Sequence, residues 1–366
     1  MPVNVLLMVR ELNIGGTERQ CAEMARALDR RRYVAHVGCF IADGFRAEEL
    51  RRDGVPILHL PVRSLRSFSA VRGALLLRRY IRQRDIRLVH TFDFPMNLYA
   101  APLARAMRVP VVLTSQRNSR VLYPGVHRWL RVTDRLSDAV VVNCEAVRKE
   151  MIAQDHTPPE KLLLCYNGLD TAAFPARTFE DGASQTLTIG VICAFRPEKD
   201  LLTVVNAFER IRDIRPGLRL ILVGQGVLQE PLEKRIRELG SGEQCRIEPA
   251  TSHVAGWLQK MDIFVLPSLS EALSNSLMEA MSSGCAPVAS RVGGNSELVD
   301  GERTGLLFTP GDDAGLAECL RKLVLDDNLR RSIARSASER MRLEFSMETA
   351  AARLAEIYDD QLRRAK

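Results

Sequence analysis

Apolar runs of strand length alternate with helix-like segments along the chain. The first run is NVLLMV (4–9), and a Gly-Gly turn connects it to a helical stretch at 17–29. Short apolar runs that alternate with helices indicate a parallel sheet whose strands are joined by those helices. Further strand candidates in the first half are YVAHVGCFI (33–41), VPILHL (55–60), IRLVHTF (86–92), VPVVLTS (109–115) and DAVVVN (138–143).

The alternation pauses at residues 165–187, which are rich in small and polar residues, and we predict a linker at 171–186. It then resumes with LTIGVICAF (187–195), LRLILVGQG (218–226), CRIEP (245–249), DIFVLPS (262–268) and APVAS (286–290). Two such series predict an α/β fold of two doubly wound, Rossmann-like domains that face a central cleft. The predicted domains are 1–170 and 187–345, and a C-terminal helix at about 346–366 is expected to pack back on the first.

Length and composition agree with this organisation. The chain has 366 residues, of which 46% are apolar and 5% aromatic, as expected of a soluble globular protein with two cores. Its apolar runs are shorter than the roughly 20 residues that span a bilayer, and the start MPVNVLLMVREL does not read as a signal peptide. We therefore expect a cytoplasmic location. The eight cysteines are dispersed without a CxxC motif, which predicts reduced thiols and no structural metal.

Charge is unevenly distributed between the two halves. Residues 1–175 contain 27 Lys and Arg against 17 Asp and Glu, a net +10, whereas residues 176–366 contain 25 against 28, a net −3. In segments 63–85 and 117–135, arginine mixes with apolar residues at helical spacing. One interpretation is a solvated helix face. The other is a surface for a phosphorylated acceptor or for anionic lipid, with the protein peripheral on the inner face of the cell membrane. No nucleic-acid partner is expected, because the segments lack aromatic stacking platforms.

Candidate chemistry is concentrated in SLSEALSNSLMEAM, which directly follows the strand candidate DIFVLP. Ligands of open parallel sheets bind at this edge, where loops lead into helix N-termini. With a helix starting near Asn275, the Ser276 and Leu277 amides would be donors for a phosphate. Glu279 would reach hydroxyls attached to that phosphate, and Glu271 would project to the other end of the ligand. Alternatively, Glu271 is a capping or salt-bridging residue and Glu279 is a surface glutamate.

The E-x7-E pattern in this setting resembles the retaining glycosyltransferase family 4 of the GT-B fold. The resemblance extends over almost the whole chain, through NIGGTERQCAEMARAL, VVNCEAVRKEM, CYNGLD, RPEKDLLTVV, LILVGQG and GCAPVASRVGGNSELVDGERTGLLFTPGD. It implies hexosyl transfer from a nucleotide sugar, a UDP-sugar by family frequency, to a glycan, a lipid-linked glycan or glycolipid, or a small molecule. The donor would lie on the C-terminal domain and the acceptor on the N-terminal one, with no metal cofactor.

The resemblance also assigns roles on the donor side. Glu279 would bind the ribose, Glu271 the hexose and Lys199 the diphosphate. Ala194 stands where the family commonly has arginine, so Arg196 is expected to replace that arginine and to act with Lys199 and Glu271 in catalysis. The implied donor-binding residues are Gly15, Gly16, Ser274, Asn275, Ser276, Leu277 and Glu279.

On the acceptor side the candidates are His90, Gln116 and Arg117. Gln116 occupies the usual histidine of a T-x-H motif, so either Gln116 or Arg117 is expected to contact the donor sugar there. His90, in LVHTF, is either an acceptor contact or a hydrogen-bonded histidine at a strand end.

Three other classes share parts of this pattern. A GT-B sugar-nucleotide epimerase has the same architecture, but the E-x7-E and RPEKD context argues against it. A dinucleotide dehydrogenase needs G-x-G-x-x-G, of which VGQGVLQE has only the first two glycines. A non-catalytic nucleotide-sugar-binding protein would keep the fold while losing charged residues that this chain retains.

Overall fold

The computed structural model of this protein describes residues 2–13, 15–118, 125–178 and 186–365. The chain divides into two compact units, Met1–Gly168 with Met347–Lys366, and Leu169–Ser346. Each unit contains one sheet in which all strand pairs are parallel. Part of the predicted linker, residues 179–185, lies outside the described residues.

The first unit contains a seven-stranded sheet. Its strands are β1 Val3–Met8, β2 Tyr33–Cys39, β3 Ile57–His59, β4 Ile86–Thr91, β5 Val111–Gln116, β6 Ala139–Val142 and β7 Leu162–Leu164. Their order across the sheet is β3-β2-β1-β4-β5-β6-β7. The helices are α1 Gly16–Ala27, α2 Phe45–Arg52, α3 Phe68–Gln83, α4 Phe94–Ala106, α5 His127–Leu136 and α6 Glu145–Asp155.

The second unit contains a six-stranded sheet. Its strands are β8 Leu187–Ile192, β9 Leu218–Val223, β10 Cys245–Glu248, β11 Ile263–Leu266, β12 Ala286–Ser290 and β13 Leu306–Phe308, in the order β10-β9-β8-β11-β12-β13. The helices are α7 Leu201–Glu209, α8 Gln229–Glu238, α9 Val254–Leu258, α10 Asn275–Ser282, α11 Asn295–Leu298, α12 Gly301–Thr304, α13 Asp313–Leu325 and α14 Asp327–Glu344; the last helix, α15 Met347–Arg364, belongs to the first unit. In both sheets the first strand is central. The next two strands are added on one side of it and the later strands on the other side, which is the Rossmann strand order.

Helices cover both faces of the first sheet, which explains its continuous apolar strands. Side chains alternate between the faces of a strand, so Leu7 of β1 packs in the core shared with α1 and α15. Its neighbours Leu6 and Met8 pack in the opposite core, with residues of α3 and α4. The prediction of two Rossmann-like α/β domains is confirmed.

Every strand predicted from the apolar runs is present, but two strands were missed. Both β7 and β13 have three residues and lie at the edges of their sheets. Strands this short contain too few residues to show a periodic pattern. The equally short edge strand β3 was predicted because it lies within the longer apolar run VPILHL (55–60).

The C-terminal helix α15 packs on the first sheet. Tyr358 is fully buried there, and its ring meets Tyr33 edge-on at a centroid distance of 5.8 Å. The Tyr33 hydroxyl in turn donates to the Ala355 carbonyl at 3.1 Å. The helix therefore supplies part of the core of the first unit.

All eight cysteines are free thiols, as predicted, and six of them are buried. Among the described helices, none combines the length and the apolar character that a membrane-spanning segment requires.

Candidate functional site

Two loops of the second unit meet at the carboxyl ends of neighbouring strands. One loop follows β8 and the other follows β11, and these strands pair directly. The Leu269 amide donates to the Glu198 carbonyl at 2.8 Å, which joins the loops through their backbones. As a result, Lys199 and Glu271 come into contact although 72 positions separate them, with Nζ 2.5 Å from Oε1.

The Lys199–Glu271 ion pair is partly accessible to solvent, with side chains 21% and 13% exposed. The same Glu271 oxygen accepts a hydrogen bond from the Ser268 hydroxyl at 2.7 Å. Glu271 is therefore a salt-bridging residue, as the alternative interpretation states. Its partner, Lys199, is the lysine predicted to hold a diphosphate. An anionic ligand at this position would compete with Glu271 for the ammonium group.

Helix α10 starts at Asn275, where the sequence places it. Ser274 is the N-cap, and its hydroxyl accepts from the Leu277 amide at 3.3 Å. This corrects one expectation, because the Leu277 amide already has a partner and is not an unpaired donor for a phosphate. The Ser276 hydroxyl lies 3.1 Å from that of Ser274. Glu279 is only 8% exposed, so it is not the surface glutamate of the alternative interpretation.

Gly293, in the turn after β12, sets the position of the Glu271 loop. It has a φ of +49°, and a Cβ there would lie 1.9 Å from the Glu271 carbonyl oxygen. The adjacent Gly294 amide donates to the Ala272 carbonyl at 2.6 Å. The loop that carries Glu271 therefore lies directly against a backbone without side chains.

A second glycine contact holds the loop after β8. Gly224, after β9, has a φ of +155°, and a Cβ there would lie 1.9 Å from the Cys193 carbonyl oxygen. Both loops of the ion pair are thus held by close backbone approach.

Arg196 is not brought to this ion pair. Its side chain is 67% exposed, and its guanidinium lies 3.9 Å from the Glu198 carboxylate. The replacement of the usual family arginine by Arg196 therefore stays a prediction.

The first unit has an open cavity of about 160 Å³ at the carboxyl ends of β1, β4 and β5. Gln116 and Arg117, two of the acceptor-side candidates, line it and are 6% and 7% exposed. The Gln116 amide nitrogen donates to the Asn118 carbonyl at 2.5 Å. The remaining lining residues are Arg10, Thr17, Glu18, Phe92, Asp93, Phe94, Pro95, Ser115, Asn118 and Leu130.

Arg117 is a buried cation. Its Nη1 donates to the Asn167 side-chain oxygen at 2.7 Å, and its guanidinium lies 4.7 Å from the Phe92 ring centroid. Its Nε has no hydrogen-bond partner within the described chain. Burial lowers the pKa of Arg117. Because no carboxylate among the described residues pairs with it, a ligand carrying negative charge would be favoured nearby.

His90 does not line the cavity. It is fully buried, and its two ring nitrogens lie 2.8 Å from the hydroxyls of Tyr358 and Ser115. Burial holds the pKa of His90 well below its usual value, so the ring stays neutral. The alternative of a hydrogen-bonded histidine at a strand end therefore describes His90, and its acceptor role stays a prediction.

Gly15 is the N-cap of α1, and Gly16 is the first residue of the helix. A Cβ on Gly15 would lie 2.0 Å from a carboxylate oxygen of Glu18. In this structure the missing side chain of Gly15 leaves room for that carboxylate. The predicted contact of the two glycines with a donor stays a prediction.

The sequence reading missed two carboxylates of the cavity, Glu18 and Asp93. Asp93 caps α4, accepting from the Met96 amide at 3.0 Å and from the Arg10 amide at 2.6 Å. Burial raises the pKa of Asp93 to about 6, and it also raises the pKa of Glu18. Asp-Phe-Pro directly after a strand is a helix-start signal that would have singled out Asp93.

Among the described residues, no group of three or more His, Cys, Asp or Glu side chains is arranged to hold a metal ion.

Two Rossmann-like units with these sites define a protein of the GT-B type, and the family models agree. The Glycosyl transferases group 1 model matches residues 158–340, and the Glycosyltransferase Family 4 model matches residues 14–173. The chain therefore belongs to the group 1, or family 4, glycosyltransferases.

Curated relatives include other glycosyltransferases. A glycogen synthase of Mycobacterium tuberculosis is 28% identical over 307 residues, which cover 79% of this chain and 72% of the relative. The N-acetyl-alpha-D-glucosaminyl L-malate synthase of Bacillus anthracis is 28% identical over 297 residues, 77% of each chain. Among solved structures, Anabaena HepE in complex with UDP has a TM-score of 0.83 at 21% identity, covering 98% of this chain and 100% of HepE.

The Gly293 contact can be tested against a matched glycine. Gly301 has a similar φ of +51°, but a Cβ there would meet nothing within 4 Å. We expect Gly301→Ala to cost about 1 kcal/mol of unfolding free energy through left-handed strain alone. Gly293→Ala should cost about 1–3 kcal/mol more, because the Glu271 backbone must move. Denaturant unfolding of both variants measures the difference, and equal losses would contradict this role of Gly293.

The raised pKa of Asp93 predicts a pH-dependent stability. The folded state keeps the Asp93 proton up to about pH 6, whereas the unfolded state releases it near 3.8. Relative to Asp93→Asn, the wild type should therefore lose about 2–3 kcal/mol of unfolding free energy as pH rises from 4 to 7.

Asp312→Asn is the matched control for this measurement. Asp312 also caps a helix, α13, and accepts from the Gly315 amide at 2.9 Å. Urea unfolding of the three proteins across this pH range provides the comparison. A difference between wild type and Asp93→Asn that does not vary with pH, or that Asp312→Asn reproduces, would refute the assignment.

Proposed function

We propose that this protein transfers a hexosyl group, with retention at the anomeric carbon, from a UDP-sugar to a glycan, glycolipid or small-molecule acceptor. The observation that carries the proposal is the Lys199–Glu271 ion pair, 2.5 Å long, at the start of the segment that leads into α10. The ion pair supports the proposal because it holds the proposed cation for a diphosphate and the proposed carboxylate for a sugar in contact.

The donor binds to the second unit in this proposal. Lys199 leaves Glu271 to hold the diphosphate, and the N-terminus of α10 adds its positive end through the Ser276 amide. Glu279, buried one turn into α10, binds the ribose. The complexes of HepE with UDP and with UDP-glucose support a uridine nucleotide. Ser274 and Asn275 complete the part of the proposed donor site that lies on the second unit.

Catalysis in this proposal is mainly electrostatic. The sugar develops positive charge as it separates from the diphosphate, which becomes more negative. Lys199, assisted by Arg196, stabilises the leaving group, and Glu271 orients and stabilises the sugar. Neither Glu271 nor Glu279 has to act as a covalent nucleophile, because the leaving phosphate can take the proton of the acceptor hydroxyl on the same face.

The acceptor binds to the cavity of the first unit in this proposal. The Asp93 and Glu18 carboxylates would accept hydrogen bonds from sugar or other hydroxyls, while Gln116 supplies amide contacts. Arg117 would favour an acceptor or donor portion that carries negative charge. These roles rest on the lining of the cavity and on the burial of Arg117.

Two alternatives differ in their products. A sugar-nucleotide epimerase would convert the UDP-sugar without any acceptor and would release no UDP into solution during steady turnover. A non-catalytic binding protein would bind UDP-sugar and leave it unchanged. Mass spectrometry of a panel of nucleotide sugars, with and without acceptors, separates these alternatives from glycosyl transfer.

Metal independence is part of the proposal. Since Lys199 and the α10 N-terminus supply the positive charge, we expect UDP release from the donor to continue at its full rate in excess chelator. The rate of UDP release is measured before and after chelation. Loss of turnover that a divalent ion restores would show that a metal takes part.

The two glutamates should respond differently to substitution. Glu279→Gln weakens a ribose contact present in the ground and transition states alike, so UDP affinity should fall by roughly 1–3 kcal/mol with little change in kcat. Glu271→Gln should lower kcat by about 100-fold or more while UDP still binds. Lys199→Ala should reduce both quantities.

Calorimetric titration with UDP and steady-state kinetics measure these effects. Glu297→Gln, on the short helix α11 outside the proposed site, is a control for the loss of one carboxylate. Small and equal effects of the two site substitutions on both quantities would place the donor site elsewhere.

A further inference from the structure

The segment 63–84 carries seven arginines and no acidic residue. It comprises a short stretch before α3, the helix itself and Arg84. The arginines are Arg63, Arg66, Arg72, Arg78, Arg79, Arg82 and Arg84, and the side chains of all seven are exposed. No ion pair to any of them occurs among the described residues. Exposed arginines elsewhere are often paired within their helix, as Arg353 is with Glu356 at 2.9 Å.

Large apolar side chains on α3 face solvent at helical spacing. Phe68, Val71 and Leu75 lie at positions i, i+3 and i+7 and are 93%, 59% and 61% exposed. The opposite face of the helix, with Leu77 and Ile81, is buried in the core of the first unit. The amphipathic pattern of α3 is therefore satisfied by its inner face, and the outer apolar residues are not explained by packing within the unit.

The apolar residues and the arginines share one exposed face of α3. At 3.6 residues per turn, Arg78, Arg79 and Arg82 continue the line of Phe68, Val71 and Leu75 along the helix. This face, which we call the α3 outer face, is apolar in its first half and cationic in its second.

The helix is held firmly to the rest of the first unit. The Tyr99 hydroxyl donates to the Ala70 carbonyl at 2.6 Å. A Cβ on Gly73 would lie 2.5 Å from a Val62 methyl and 2.6 Å from the Tyr99 hydroxyl. Because α3 packs this closely through its inner face, a rotation that would bury Phe68 against the unit is blocked.

We propose that the α3 outer face docks on a bilayer that contains anionic lipid. The arginines complement lipid phosphates, and Phe68, Val71 and Leu75 enter the boundary between headgroups and acyl chains, as in helices that lie in the plane of a membrane. A lipid surface accounts for the exposed aliphatic residues Val71 and Leu75, which a nucleic acid would leave without a partner. The inference does not rest on the proposed transfer reaction.

Vesicle binding of the full chain tests the cationic half. Co-sedimentation is measured with vesicles of phosphatidylcholine alone and with vesicles that contain phosphatidylglycerol. We expect binding only to the anionic vesicles, weakening as salt is raised. Replacing Arg78, Arg79 and Arg82 together by Gln should lower the partition coefficient on the order of 100-fold, because each arginine contributes a factor of about five.

The matched control removes the same charge from the second unit. Arg219, Arg237 and Arg246 are exposed there, and their joint replacement by Gln should change the partition coefficient by less than about threefold. A comparable loss in both triple variants would mean that net charge alone causes the binding and would overturn the proposal.

The apolar half is tested by Phe68→Ser with Leu75→Ser, and the control is Leu325→Ser with Leu343→Ser at exposed positions of the second unit. Only the α3 pair should weaken binding, by about tenfold or more. Thermal unfolding confirms that each variant is folded.

A polynucleotide provides the competing outcome. Absence of binding to anionic vesicles, or duplex DNA binding that depends on Arg78, Arg79 and Arg82 while vesicles stay unbound, would overturn the membrane assignment. The vesicle assay contains no sugar donor, so failure here is distinct from failure of the proposed transfer reaction.

Discussion

Direct pairing of β8 with β11 is the constraint on which the contact between Lys199 and Glu271 depends. Parallel neighbours release their loops at the same edge of the sheet, so segments more than 70 positions apart meet there. The Leu269–Glu198 backbone hydrogen bond then fixes the register of the two loops. The contact between Lys199 and Glu271 follows from this backbone arrangement, and Gly293 permits it by leaving space beside the Glu271 carbonyl.

The first unit also brings loops together at the carboxyl ends of its strands, but there they line a cavity. Its cavity also lies at the carboxyl ends of central strands, but burial acts on unlike charges there. Burial raises the pKa of Asp93 and lowers the pKa of Arg117, so both groups are held where their charged forms are least favoured. The cavity of the first unit therefore contains charged groups to which no opposite charge is paired among the described residues, whereas the second unit contains the Lys199–Glu271 ion pair.

The helices that cover the sheets have an inner face in the protein core and an outer face in solvent. In α15 the inner face completes the core of the first unit through Tyr358, and its outer face is charged. In α3 the inner face is also buried, yet the outer face carries Phe68, Val71 and Leu75 beside arginines that form no ion pair with any described residue. Part of the net positive charge of the first half is therefore concentrated on one exposed face of α3.

The sequence alone determined the α/β alternation, the start of α10 at Asn275 and the candidates Lys199, Glu271 and Glu279, because these follow from local periodicity, capping and motif order. It could not decide which candidates share a site. Only the tertiary structure showed that Lys199 contacts Glu271 while Arg196 is exposed, that His90 is buried between Tyr358 and Ser115, and that Asp93 lines a cavity. Burial and long-range contact depend on residues far apart in the chain, and no local pattern records them.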